Sequence, residues 1–155
     1  MNALSLSNPV FAAYVICASL LVLKMAAMSW LTVYRMIRVN GGMRNPEDLN
    51  PGPANPKPRA GQLDPVDYVD RVRRIHQNDQ ENLLPFLAIG WLYVITSPDP
   101  TLAKFLLYGY VISRLLHSAA YLAARPHEWR AALWSVGAFI LIGMAMVTLL
   151  AGLQA

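Results

Sequence analysis

Polar and apolar positions fall in long blocks along this chain, and the blocks predict four helices. Val10 to Leu31 is a 22-residue apolar run broken by one charge, Lys24. About 20 residues cross the hydrocarbon core of a membrane. Asn8-Pro9 supplies a helix start, with the proline in the first turn. Arg35 to about Pro65 carries NPEDLNPGPANPKPRAGQLDP, which cannot continue a helix and reads as an irregular connector. Within it, Asn45-Pro46-Glu47-Asp48 is expected to form a short turn or cap. A second helix begins amphipathic near Val66 and ends near Ile95. Its apolar part, Leu83 to Ile95, has only 13 residues and spans only with the polar turns before it. Pro85 should kink it or be accommodated by packing. Leu102 to Leu122 forms the third block, with Lys104 near its start and Arg114 and His117 inside. Ala131 to Leu153 is the fourth, 23 residues without a charge. The expectation is an all-α membrane protein, a four-transmembrane-helix bundle in one domain over 1–155. Its spans are near 10–34, 66–95, 102–122 and 130–153, and its cytosolic loop is 35–65.

Composition agrees with a membrane. Hydrophobic residues make up 55% of the 155 and charged residues 14%, against about 25% charged in average soluble domains. The charges avoid the ends: Met1 to Tyr34 has Lys24 alone, and Ala131 to Ala155 has none. The single cysteine, Cys17, excludes an intrachain disulfide and a cysteine zinc site. A net charge of +4 without a long basic run argues against nucleic-acid binding. The first segment has no basic leader and no A-x-A-like cleavage site, so it reads as a retained anchor. Arg and Lys cluster in the first and third connectors, which the positive-inside rule places in the cytoplasm with both termini opposite.

The polar residues inside the helices carry the functional signal. Arg71, Arg74, Asn78 and Glu81 recur at i, i+3, i+7 and i+10, one stripe of the second helix. Arg114, His117 and Tyr121 make a stripe on the third. Arg35 ends the first helix and Arg130 opens the fourth. All four ends share one side of the membrane, so these groups lie at similar depth and predict a basic pocket for an anionic ligand. Arginines at helix ends also snorkel to lipid phosphates. That does not account for Asn78, Glu81, His117 and Tyr121 on the same stripes. Glu81 is alternatively an ion-pair partner for Arg74, and His76 lies off the main stripe. Lys24, inside its span, should face the bundle and meet a partner. The histidines are too dispersed for a metal site.

These residues also resemble a known family. VDRVRRIHQNDQENLLPF, the upstream NPED, SRLLHSAAYL, the Pro-x-x-x-Arg opening the fourth helix and LVLKMAAMSWLTVYR in the first are similar to the MAPEG family. The branch is that of the microsomal glutathione transferase 1-type proteins and microsomal prostaglandin E synthase. The resemblance covers nearly the whole chain. It implies a homotrimer of four-helix bundles with glutathione bound between neighbouring subunits. By motif it assigns glutathione contacts to Arg35, Arg74, His76, Asn78, Glu81, His117, Tyr121 and Arg130. Arg130 would favour the thiolate, with Asp48 of NPED as its partner. The chemistry suits the ligand: guanidinium groups bind its two carboxylates, Glu81 its ammonium, and a nearby cation lowers the thiol's pKa.

Three positions depart from the prostaglandin E synthase pattern: Gln77 replaces an arginine, Ala131 a serine and Trp134 a tyrosine. Leu49 stands where some mammalian transferases have a cysteine after NPED, so activation by thiol modification is not expected there. The expected function is a membrane glutathione transferase acting on lipophilic electrophiles, with glutathione peroxidase activity on lipid hydroperoxides. The alternatives are a prostaglandin E synthase-type isomerase and a non-catalytic lipid-binding scaffold. A small multidrug transporter fits the span count, but such proteins use a membrane carboxylate, whereas the charges inside helices one and three are Lys24 and Arg114. The expected location is integral and multi-pass, endoplasmic reticulum in a eukaryote or inner membrane in a bacterium.

Overall fold

The computed structural model describes residues 3–154. Four helices account for most of them: α1 (Pro9–Val39), α2 (Asp67–Ile95), α3 (Pro100–Leu122) and α4 (His127–Leu153). Their starts are capped by local chemistry. The Asn8 side chain accepts from Val10 N at 2.9 Å, with Pro9 in the first turn of α1. Asp99 accepts from Thr101 N and Leu102 N at the start of α3, followed by Pro100. α2 lacks a side-chain cap but carries Asp67 and Asp70 in its first turn, where the helix dipole favours negative charge. α1 ends at Asn40, which takes the left-handed conformation at φ 47°, a conformation asparagine tolerates better than most side chains.

α1 packs on α2 and α3 on α4, with α1 also on α3 and α2 on α4; among the described residues α1 and α4 make no packed contact. They therefore stand diagonally across the bundle. The core joins Tyr14, Cys17 and Leu21 of α1 with Phe86 and Tyr93 of α2, Leu107 and Tyr110 of α3, and Met144 of α4. Phe86 and Tyr110 stack with ring centroids 4.3 Å apart.

Pro85 does not end α2. Tyrosine hydroxyls from α1 and α3 donate to the α2 main chain around it: Tyr110 Oη to Asn82 O at 2.8 Å and Tyr14 Oη to Leu87 O at 2.9 Å. A proline in an apolar helix is tolerated where neighbours bond to the disturbed backbone. Gly90 allows this contact, because a Cβ there would lie 2.8 Å from Tyr14 Cε2.

α1 and α4 are long and apolar enough to cross a membrane on composition. α2 and α3 are of comparable length, but their charged residues lower their hydropathy. Large apolar side chains are exposed on every helix, among them Trp30, Leu84, Phe105 and Phe139. Such a surface suits lipid or a neighbouring subunit, not water.

The connector contains two short 3-10 turns, Pro46–Leu49 and Ala60–Leu63. The first is the NPED turn expected from the sequence. Buried Gln62 ties the rest together. Its Nε2 donates to Asn40 Oδ1 at 2.7 Å, and its Oε1 accepts from Asn55 Nδ2 and Arg59 N, each at 2.9 Å. Arg73 of α2 anchors the connector by donating to Gly42 O at 2.6 Å.

Candidate functional site

The polar residues of α2, α3 and α4 meet inside the bundle. Arg114, 2% exposed, donates through Nη2 to Asn78 Oδ1 and stands 3.3 Å from His117 Nδ1. His117 is also buried, and its ring meets Tyr121 edge-on at 5.1 Å. The guanidinium of Arg130 lies 4.4 Å over the other aromatic partner in this chain of contacts, the Tyr121 ring. Arg71 reaches the same place, donating to Tyr121 O at 3.4 Å. Asn78, His117, Tyr121 and Arg130 thus form one continuous set, with Arg114 as its buried hub.

The other expected residues lie on different faces. Arg74 donates to Asp67 Oδ1 at 2.7 Å and is half-exposed. Glu81 is exposed and accepts from Gln77 Nε2 at 3.2 Å. The alternative Arg74–Glu81 ion pair is therefore absent from this conformation. His76 borders an open groove of about 540 Å³ between α1 and α2, with Arg44, Arg73, Arg74, Gln77 and Thr32. Arg35 is buried, donates to Tyr68 O at 2.6 Å and places its guanidinium 4.1 Å over the Tyr68 ring. Asp48 accepts from Asn45 N at 3.2 Å within the NPED turn; it makes no bond to Arg130 among the described residues.

Helix geometry explains this division of what reads as one stripe. At 3.6 residues per turn, Asn78 projects within about 20° of Arg71, whereas Arg74 and Glu81 turn away from it by about 60° and 80°. The stripe straddles an edge of α2. Arg71 and Asn78 meet α3, while Arg74 and Glu81 face outward.

Several buried polar atoms at this end of the bundle make no hydrogen bond within the chain: Arg35 Nε, His76 Nδ1, Arg114 Nη1 and Arg130 Nε. Buried donors normally find partners. Both faces therefore retain capacity for a polar ligand.

Residues 14–150 match the MAPEG family. The chain belongs to the MAPEG family. Human microsomal glutathione S-transferase 1 is 37% identical over 142 residues, covering 90% of this chain and 89% of the relative. The bovine protein of the same name is 36% identical over 141 residues, covering 90% and 89%. Human prostaglandin E synthase is 34% identical over 122 residues, covering 78% and 76%. This MAPEG protein is a membrane protein, an all-α four-helix bundle.

One central residue of the MAPEG chain was missed on sequence grounds. Asp79 of α2 is buried and accepts from Lys24 Nζ of α1. The expectation that Lys24 meets a partner inside the bundle holds. The signal for Asp79 was its place on the apolar stripe Val72, Ile75, Asp79, Leu83 and Phe86, all buried.

Proposed function

We propose that this protein is a membrane glutathione transferase that joins the glutathione thiol to lipophilic electrophiles. Glutathione is its co-substrate. The single observation that carries this reading is the continuous Asn78–Arg114–His117–Tyr121–Arg130 set in a MAPEG chain. Relatives named microsomal glutathione S-transferase match nine-tenths of the chain, which supports the same reading.

The roles follow from the chemistry of each group. Glutathione brings two carboxylates, an ammonium and a thiol. Arg35 and Arg74 supply cations for the carboxylates. Glu81, exposed and bonded to a neutral glutamine, suits the ammonium. Asn78, His117 and Tyr121 supply polar contacts to the peptide, and His76 a further one. Arg130, held on the Tyr121 ring, stabilises the thiolate, with Asp48 as its partner in the assembled protein. The thiol proton leaves to solvent, the sulfur attacks an electrophilic carbon, and the leaving group departs with its bonding pair. A lipid hydroperoxide would instead be reduced to its alcohol and water as two glutathiones become the disulfide. Holding the two reactants together in a low-dielectric site supplies much of the rate.

A homotrimer accounts for the split between faces. The α1–α2 groove with Arg74 and His76 would meet the α2–α4 set of the next protomer, so that one glutathione touches both. The protein would be multi-pass, with the connector 35–65 cytosolic, in the endoplasmic reticulum of a eukaryote or the inner membrane of a bacterium.

The test is glutathione binding to the detergent-purified protein, wild type beside Arg74→Ala, with conjugation of chlorodinitrobenzene by wild type and Arg130→Ala. Binding lost in the first variant and turnover lost in the second are expected. A wild type that binds no glutathione overturns the reading. The prostaglandin E synthase relatives favour a second reading, endoperoxide isomerisation, which the same preparation can be assayed for directly. Gln77, Ala131 and Trp134 weigh against it.

A further inference from the structure

Lys24 and Asp79 form a buried ion pair between α1 and α2, with side chains only 8% and 6% exposed. Charges inside membrane helices are costly unless they pair within the protein. Neutralising Lys24 occupies only one carboxylate oxygen, Oδ1. The second, Asp79 Oδ2, is buried without a hydrogen bond, and so is Arg114 Nη1. Lys24, Asp79, Asn82, Tyr110 and Arg114, with Leu21 and Leu83, line one small cavity of about 10 Å³. That is about the space of a single water, and the unpartnered Asp79 Oδ2 and Arg114 Nη1 offer it an acceptor and a donor. The far side of the same guanidinium, Nη2, is committed to Asn78 and stands beside His117. Arg114 thus touches the cavity on one edge and two glutathione-site residues on the other.

We infer that Asp79 is a positioning residue acting on the glutathione site through one ordered water and Arg114. The water accepts from Arg114 Nη1 and donates to Asp79 Oδ2. Its second hydrogen goes to Tyr110 Oη, whose own proton is donated to Asn82 O. Lys24, paired to Oδ1, holds the carboxylate in place. The guanidinium is then fixed on both edges, and Asn78 and His117 are presented in one arrangement. This inference rests on the glutathione reading of the site.

The test uses the full chain in detergent. Lys24→Met/Asp79→Leu removes both charges together and leaves an apolar pair of similar bulk. Lys24→Met/Asp79→Asn restores an acceptor oxygen without the charge. Calorimetric glutathione affinity and the split between KM and kcat are measured for each. The leucine variant should lose about tenfold in affinity and raise KM for glutathione with little change in kcat, as expected when a bonded restraint on binding residues is lost. The asparagine variant should recover most of that loss. Wild-type affinity in a folded leucine variant would show that Asp79 only neutralises Lys24, and would overturn the inference alone. A wild type without glutathione affinity overturns the site reading and this inference together. A structure of the wild-type protein that resolves ordered water gives a readout independent of either variant's folding. A water within about 3.2 Å of both Asp79 Oδ2 and Arg114 Nη1 is expected; a dry cavity refutes the bridge.

Discussion

On the proposed function, Tyr121 should separate binding from catalysis, its ring and its hydroxyl doing different work. Its ring lies under the Arg130 guanidinium at 4.4 Å and meets the edge of His117. Its hydroxyl makes no hydrogen bond among the described residues and is free for a ligand. Tyr121→Phe keeps the ring and removes the hydroxyl. One neutral hydrogen bond is worth about 0.5–1.5 kcal/mol, so KM for glutathione should rise about 2- to 13-fold while kcat stays close to wild type. Tyr121→Leu removes the ring face as well. A cation–π contact contributes about 0.5 kcal/mol when exposed and about 2 kcal/mol when desolvated. If all of it serves to hold Arg130 against the thiolate, kcat should fall about 2- to 30-fold beyond the phenylalanine variant. Arg130 is partly buried, with an unpartnered Nε, which favours the upper part of that range. The assay is steady-state conjugation of chlorodinitrobenzene over a glutathione series, with glutathione affinity measured in parallel. Equal kcat in the phenylalanine and leucine variants would show that the ring does not place Arg130. A phenylalanine variant that loses kcat without raising KM would assign the hydroxyl to the chemistry and refute the division.

Three further changes test the scaffold. Gly90→Ala places a Cβ 2.8 Å from the Tyr14 ring, which is held by its bond to Leu87 O; overpacking should cost about 1–3 kcal/mol, read as a lowered thermal midpoint in detergent. Lys24→Met alone leaves Asp79 buried without its cation and should cost about 3–5 kcal/mol, most of it regained when Asp79→Leu is added; equal loss in the single and double variants would refute the pairing account. Gln62→Ala leaves Asn40, Asn55 and Arg59 short of partners, at about 1–3 kcal/mol for a buried polar group left unsatisfied. The connector should then be cut faster by protease, while the helical bundle keeps its melting temperature.

What can be read from this sequence and what cannot are separated by a physical line. Caps and spans are local: Asn8-Pro9, Asp99-Pro100 and the NPED turn need only neighbouring residues, and each takes the conformation its composition favours. The motif DRVRRIHQNDQEN is local too, and it marks the proposed site. The direction in which each of its side chains points depends on which helices pack on which faces of α2, and nothing local states that. Relative to Arg71, Asp79 projects about 80° to the core side, while Glu81 projects about 80° to the other. Composition alone ranks the two acids equally as partners for Lys24. The tie is broken by periodicity, because Val72, Ile75, Leu83 and Phe86 are buried around Asp79 and leave it no solvent. An acid in the middle of an apolar stripe can remain charged there only beside a cation. The lysine broken out of α1's apolar run supplies one at the matching depth. Each of these two exceptions is a defect in its own helix and explains the other once α1 lies on α2. The remaining carboxylate oxygen is left over from that pairing, and Arg114 is the group that can use it.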